Sequence, residues 1–437
     1  MHLRVLVAEG NELTFRFGGT KPLIISDSGF SRLRTHRLKV IKSNNGLYIF
    51  VNGKKQRGNL IDSFSGITIT SNDNRGVWLG RRRYRGKLRV LLNGRNLQVI
   101  NTLRVGDYLA SVVGSEMPKS WPNAALEAQA IASRTYALNQ LKTNANFDIK
   151  STESNQVYLG IESETPETTR AVSKTKSLVL KYQGKLINSV FHSSSGGKTE
   201  ASRFVWKQQQ LPYLMGVNDF DQLSPSYQWN IRFTHKQLQS RFREIGGVSD
   251  IKIIKLSPSG RILIAEIKGP SGSMLLKGDE IRRKLNLKST LFRFKFVSSD
   301  YFLNNFFSTF ISFPYSQEQG EIIPTNTMRA SIGFWRDWSF SGDQYITKSL
   351  PKLIPPPPLK TTFPMPPEEK SSSTFTPDIL PQIPKSLKNP ALFISGFGAG
   401  HGVGMSQWGA NSLAQKGLSA KEILNHYYKD VTIRPYR

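Results

Sequence analysis

Six alanines stand between Ala124 and Ala137, and few architectures accept such a stretch. Ala124, Ala128, Ile131, Thr135 and Leu138 recur at helical spacing, and Ala125, Ala132 and Tyr136 widen the apolar surface. A helix this thin lets its neighbours approach closely, so it belongs in an interior, against a sheet or another helix. Ser120 is placed to cap it, with Pro122 near its first turn. Arg134 rides on this helix, and Glu116 stands ahead of it in the loop-like GSEMPKSW.

The first hundred residues carry a different pattern. LRVLV, LTFRF, LKVIK, LYIFV, ITIT, GKLRVLL and NLQVI are short, rich in β-branched and aromatic residues, and separated by turn formers. Asn93-Gly94 and Asn52-Gly53 are hairpin signals. The basic run Arg81–Arg85 falls between strands and reads equally as a solvated edge or as a ligand patch. SLVLKYQGKLINSVFHSSSGG predicts two strands joined at Gln183-Gly184, then a polar loop. Residues 228–300 predict a small α+β unit: helix, hairpin, helix, strand. Residues 301–350 are aromatic but aperiodic. Twelve of the 23 prolines fall between Leu350 and Pro390, which predicts an extended linker or surface excursion. Regular structure returns with GFGAGHGVGMSQWGA, a helix ending near Gly417, and a last helix opened by the capping box Ser419–Glu422.

The expected fold is therefore α+β. A β-rich region (1–100) leads into a mixed core (101–227), followed by a small α+β subdomain (228–300). An insertion (301–390, proline-rich from 350) precedes a C-terminal glycine-rich motif with helices (391–437) that completes the core. The Ala-rich helix, the 177–191 hairpin and the glycine loop are expected to surround one groove.

Charge and cysteine content narrow the chemistry. Sixty Lys and Arg against 31 Asp and Glu leave a net charge of +29, which calls for an anionic partner such as nucleic acid, a membrane surface or an acidic wall polymer. The chain has no cysteine, so disulfides, cysteine-based zinc sites and thiol nucleophiles are excluded. MHLRVLVAEGNELTF opens in a strand pattern, with no basic n-region and apolar h-region, so no secretory signal is read in this chain. No run approaches a membrane span.

Three distant stretches carry candidate chemistry. In the first, a desolvated Glu116 would have a raised pKa and could donate a proton near neutrality, whereas a helix N-terminus nearby would favour its anion; alone, it reads more readily as a surface or capping residue than as a catalyst. In the second, FHSSSGGKTE, His192 is followed by Ser194, Ser195, Gly196 and Gly197, whose hydroxyls and N–H groups could surround a polar ligand. In the third, GFGAGHGVGMSQWGA, the glycines fit no phosphate-loop pattern, while His401, Gln407 and Trp408 offer hydrogen bonds and a stacking face suited to sugars.

In order, EMPKSW with ALEAQAIASRTYAL, then HSSSGGKTE, then GHGVGMSQWGANSLAQKG with EILNHYY, resemble the SpoIID/LytB family. YRGKLRVLLNGRNLQVINTLRVGDYLASVVGSEMP resembles the family's lead-in, and SPSYQWNIRFTHKQL with LNLKSTLF its middle section. The likeness covers roughly residues 1–300 and 391–437. It implies a lytic transglycosylase acting on peptidoglycan glycan strands stripped of their peptides. The implied catalytic residues are Glu116, the acid of the EMP motif, and Arg134 of the RTYA motif. Arg134 could bind a lactyl carboxylate or form a structural ion pair. The implied location is the cell envelope or periplasm, and no cofactor is expected. Some members hold zinc through a histidine and cysteines after the strand that here ends in His192; without cysteine that metal site is expected to be absent. The 301–390 insertion is a second departure from the family pattern.

Two other readings compete with the lyase. The first is a non-catalytic peptidoglycan-binding module that stimulates an N-acetylmuramoyl-L-alanine amidase, as the enhancer branch of the family implies. The second is a nucleic-acid-binding protein, motivated by the charge. Arg81–Arg85 is the one dense basic and aromatic cluster that would serve it.

Overall fold

A computed structural model describes residues 1–297 and 391–436, apart from 28–29, 44–45, 56–65, 95 and 207–208. The insertion expected at 301–390 lies outside the described residues. The fold is α+β and β-rich at its N-terminus, as the sequence predicts.

Two antiparallel sheets form the N-terminal region. In the first, the strands lie in the hydrogen-bonded order Phe30–Thr35, Leu23–Asp27, Ile67–Ser71, Lys87–Asn93, Asn96–Arg104, His2–Gly10 and, parallel to the last, Ile149–Lys150. The second sheet runs Lys54–Lys55, Gly46–Val51, Arg37–Ser43, Glu12–Phe17, Val77–Leu79 and Arg82–Tyr84. Alternation along the strands directs Val5, Leu23, Ile69, Val90 and Val99 from one sheet, and Phe15, Leu38 and Val40 from the other, into a single core. Both expected turns are present. Asn93 pairs with Asn96 across Gly94, and Asn52 and Gly53 have φ of 48° and 85°, the left-handed pair a two-residue hairpin needs.

The basic run follows neither sequence reading. Arg83 Nε lies 2.6 Å from Glu162, Arg85 pairs with Glu164, and the Arg83 guanidinium sits 5.0 Å from the Trp78 ring centre. These arginines clasp the second sheet to the segment ahead of a helix of the core.

Seven helices occur among the described residues: α1 (Val105–Glu116), α2 (Asn123–Asn139), α3 (Pro166–Lys174), α4 (His235–Arg241), α5 (Gly278–Leu285), α6 (Gln407–Gln415) and α7 (Ala420–Tyr427). The Ala-rich stretch is α2, and it is interior: Ala125, Ala128, Ala130, Ala132 and Ala137 are fully buried. It packs against α1, α3, α6, α7 and the strand Leu178–Tyr182. Pro122, not Ser120, occupies its N-cap, with no side-chain cap. The capping box at Ser419–Glu422 forms as expected, and a second one, Thr165 with Thr168, opens α3. Among the described residues no helix is long and apolar enough to cross a membrane.

The small unit contains α4, the three-stranded sheet Asp250–Leu256, Ile262–Gly269 and Gly272–Lys277, and α5. Its third strand, Gly272–Lys277, extends the hairpin that the sequence predicts into a three-stranded sheet. A further sheet places the returning strand Ala391–Phe397 between Gln228–Phe233 and Phe292–Val297. Leu392 and Ile394 thereby join the core of the small unit with Trp229, Phe233, Ile267 and Ile281. The 177–191 hairpin is shorter than expected: Leu178–Tyr182 turns at Gln183-Gly184 into Lys185–Leu186 only. Phe191–His192 pairs instead with Met405–Ser406.

Candidate active site

Glu116 is the last residue of α1, not a loop residue. The helix forms because Tyr108, Leu109, Val112 and Val113 line one buried face. It stops because Met117 precedes Pro118, and proline disfavours the α conformation in the residue before it; Met117 is extended, with φ −135°. The E-M-P sequence is thus a helix stop that leaves the carboxyl at a C-terminal end, where the helix dipole disfavours an anion. Glu116 remains partly exposed. One carboxyl oxygen accepts the Val157 N–H at 2.9 Å, and the other accepts the Gln407 side-chain amide at 3.0 Å. Burial raises its pKa above 4.5, the two hydrogen bonds oppose that rise, and the charge of Glu153 reinforces it.

Gln407 opens α6, and Ser406 caps that helix through Gly409 N–H at 3.1 Å. The loop before it is threaded through the second candidate stretch. Phe191 and His192 pair in parallel with Met405 and Ser406, Ser194 and Ala399 exchange backbone hydrogen bonds at 2.8 and 3.1 Å, and Glu200 N–H donates to Gly402 at 2.7 Å. Trp408 N–H reaches Ser193 at 3.1 Å. The two stretches, some two hundred residues apart in sequence, are therefore one structure, and it delivers Gln407 to Glu116.

The Ser-Gly loop faces inward. Ser194 donates to Asp221, which also accepts the N–H groups of Gly196 and Gly197 at 2.8 and 2.9 Å. Ser195 donates to Asp219 at 2.6 Å, as does Tyr427 at 2.6 Å. The hydroxyls and N–H groups expected to meet a ligand are thus spent on two buried aspartates. Burial and the charge of Asp221 push the Asp219 pKa up. This packing leaves no room at Gly409, where a Cβ would lie 1.9 Å from Asp219 and 2.1 Å from the Tyr427 hydroxyl. Gly409→Ala should therefore cost about 1–3 kcal/mol of stability by overpacking, read as a lowered melting temperature.

Behind the loop, Arg261 of the small unit is 1% exposed and donates to Ser195 O at 2.7 Å. Its guanidinium fills the space beside Gly402, where a Cβ would approach within 2.5 Å. Burial lowers its pKa to about 10, against the pull of Glu200 and Asp221.

Burial disfavours the charged form of both His192 and His401. His192 is buried, with Nδ1 3.1 Å from Val403 O, and burial, then His401 and Arg261, hold its pKa well below 6.5. His401 lies 5.6 Å from the His192 ring and 5.3 Å from Trp206, and burial, then Arg261 and Arg282, lower its pKa to about 4. No third His, Cys, Asp or Glu completes a metal-ligand group with them among the described residues, so the pair does not fit a zinc site. Trp408 packs edge-on against Trp121, ring centres 4.8 Å apart and both partly exposed, beside Gln407.

Arg134 makes no hydrogen bond to the acid among the described residues. It is 5% exposed, and its guanidinium donates to Leu178 O and Val172 O at 3.1 Å each and to the Thr175 hydroxyl at 3.4 Å. It closes the C-terminal end of α3, and neither a carboxylate partner nor a bond to Glu116 is among these contacts. Burial lowers its pKa to about 10.

Asp219, Asp221, Arg261, Trp121 and Trp206 were not singled out by sequence reasoning. The D-F-D run is a signal in retrospect, since two acids flanking Phe220 stand out in so basic a chain. Glu153 and Arg282 carry no motif.

Comparison with known proteins places these residues in context. A family model described as SpoIID, stage II sporulation protein, matches residues 93–182, which hold Glu116 and Arg134. The chain belongs to the SpoIID/LytB family. A second model, a domain of unknown function (DUF8618), matches residues 207–308, which supply Asp219, Asp221, Arg261 and Arg282 to this SpoIID/LytB member. The amidase enhancer of Bacillus subtilis (strain 168) is 30% identical over 336 residues, covering 75% of this chain and 40% of the relative. The chain thus spans well under half the length of that relative. Stage II sporulation protein D of the same organism is 24% identical over 356 residues, 77% of this chain and 76% of the relative. An uncharacterised protein of Brachyspira hyodysenteriae (strain ATCC 49526 / WA1) is 26% identical over 409 residues, 93% and 84% of the two chains.

Proposed function

We propose that this SpoIID/LytB member acts on the bacterial cell wall as a peptidoglycan lytic transglycosylase, cleaving between N-acetylmuramic acid and N-acetylglucosamine in strands freed of peptide stems. The observation that carries this reading is Glu116: a partly exposed carboxyl with a raised pKa, fixed by Val157 and Gln407. Hydrolytic glycosidases use two carboxyl groups, one as acid and one as base or nucleophile. A transglycosylase needs one. The Glu116 carboxyl gives its proton to the glycosidic oxygen as the C1–O bond breaks. The resulting carboxylate takes the proton of the muramyl C6 hydroxyl while O6 bonds to C1, closing a 1,6-anhydro ring. The proton count balances, Glu116 ends protonated, and no cofactor enters. A group that is acid and then base in one turnover works best with a pKa near the working pH, the direction in which burial moves Glu116. Trp121 and Trp408 supply aromatic faces for sugar rings beside it.

The likeness to a protein named amidase enhancer supports a second reading, in which the chain binds the wall and stimulates an amidase without cleaving glycan. Mass spectrometry of products from amidase-stripped and intact peptidoglycan separates the two. Anhydromuramyl ends are expected from stripped strands. Reducing ends would mean hydrolysis and direct attention to Glu153 as the second carboxylate. Binding without products would favour the enhancer. Either reading places the protein in the cell envelope.

A further inference from the structure

Arg134 directs its guanidinium to Leu178 O, Val172 O and the Thr175 hydroxyl. Arg282 has the features that Arg134 lacks. It lies on α5, partly exposed, and its Nε donates to Leu287 O at 3.2 Å, which fixes the root of the guanidinium. Its two terminal nitrogens have no hydrogen bond or ion pair among the described residues. The neighbouring acid, Asp279, pairs with Arg283 instead, at 3.1 Å.

The segment after α5 carries Arg282 to the site. Lys288 O accepts Gly400 N–H at 3.0 Å, and the Ser289 hydroxyl donates to Phe397 O at 2.6 Å, so this segment is bonded to the loop that presents His401. The charge of Arg282 helps to depress the His401 pKa, and the charge of Glu153 acts on both Arg282 and Glu116. Arg282 and the acid are thus within electrostatic reach of one exposed side chain. His401 packs on Trp206, and Gln407 bonds Glu116 next to the Trp121–Trp408 pair.

We propose that Arg282 is the specificity residue for substrate charge, its free guanidinium edge receiving the lactyl carboxylate of a muramic acid that has lost its peptide. A planar fork matches a carboxylate with two parallel hydrogen bonds, and a strand that keeps its peptide offers an amide at that point, with one oxygen and no charge. A site built to pair a charged group rejects the analogue that lacks it. The small unit, outside the segment matched by the SpoIID model, would therefore set the requirement for stripped strands. This inference rests on the glycan-cleaving reading above.

The test uses the full chain with Glu116→Gln, so that strands survive titration. Binding is measured by calorimetry to amidase-stripped strands and to the same strands with their carboxylates converted to methylamides. The parent should bind stripped strands at least about tenfold more tightly, the discrimination one charge-assisted pair provides. Adding Arg282→Gln should erase that preference by weakening stripped-strand binding alone, and Arg282→Lys should keep part of it. A preference that survives Arg282→Gln, or an equal loss on both strands, overturns the assignment. No binding of either strand by the parent overturns the glycan reading itself, and the assignment with it.

Discussion

Replacing Glu116 by glutamine should lower glycan cleavage by about 10³-fold without loss of fold. Glutamine keeps the shape, still accepts the Val157 N–H through its Oε1, and donates its amide N–H to the side-chain oxygen of Gln407 once the Gln407 amide flips. Product counts by mass spectrometry, with circular dichroism as control, read the result. The same variant reports on pH. A carboxyl whose folded pKa is raised contributes stability that is fully present below its unfolded value, 4.5, and is lost as pH rises through the folded value. Glu116→Gln does not titrate, so its melting temperature should exceed that of the wild type at pH 8 and match it at pH 4. Equal melting curves at both pH values would mean that the carboxyl is not held out of water. Cleavage by the wild type should decline on the alkaline side as the acid form is lost.

Arg134→Met should act on stability and only through it on activity. The change strips Val172 O, Leu178 O and the Thr175 hydroxyl of their shared donor in a buried place. A cost of about 3 kcal/mol follows from unsatisfied buried acceptors, partly offset because a desolvated cation is also removed. Thermal denaturation should show the loss, and turnover per folded molecule should stay near wild type. A variant that melts normally and fails to cleave would instead return Arg134 to the reacting centre.

Much of this was legible because local rules and tertiary structure agree. The period change at α2, the Asn52-Gly53 and Asn93-Gly94 turns and the Ser419 capping box each express one local preference. The helix α1 was hidden because Gly106, Gly114 and its valines weaken helical propensity, while burial of Tyr108 and Val112 overrides them. Glu116 and Gln407 could each be named from motifs, but their hydrogen bond could not, since it spans 291 positions. The Ser-Gly loop reads as a ligand cradle only while its acceptors, Asp219 and Asp221, are out of view. Arg282 left no mark in the sequence, because what matters is which of its nitrogens lack partners in the fold.

That span of 291 positions also makes the order of synthesis matter. Ribosomes add roughly 5–20 residues per second, so Glu116 exists for about 15–60 s before Gln407 is made. Throughout that interval the acid lacks one of its two anchors. The wait is shared, because Ala391–Phe397 is the central strand of its sheet, and Gln228–Phe233 must keep an open edge until it arrives. Non-local pairing of this kind folds slowly. The nascent chain thus holds Glu116 by one anchor only, and without any proteolytic step the second arrives when α6 is made and docked.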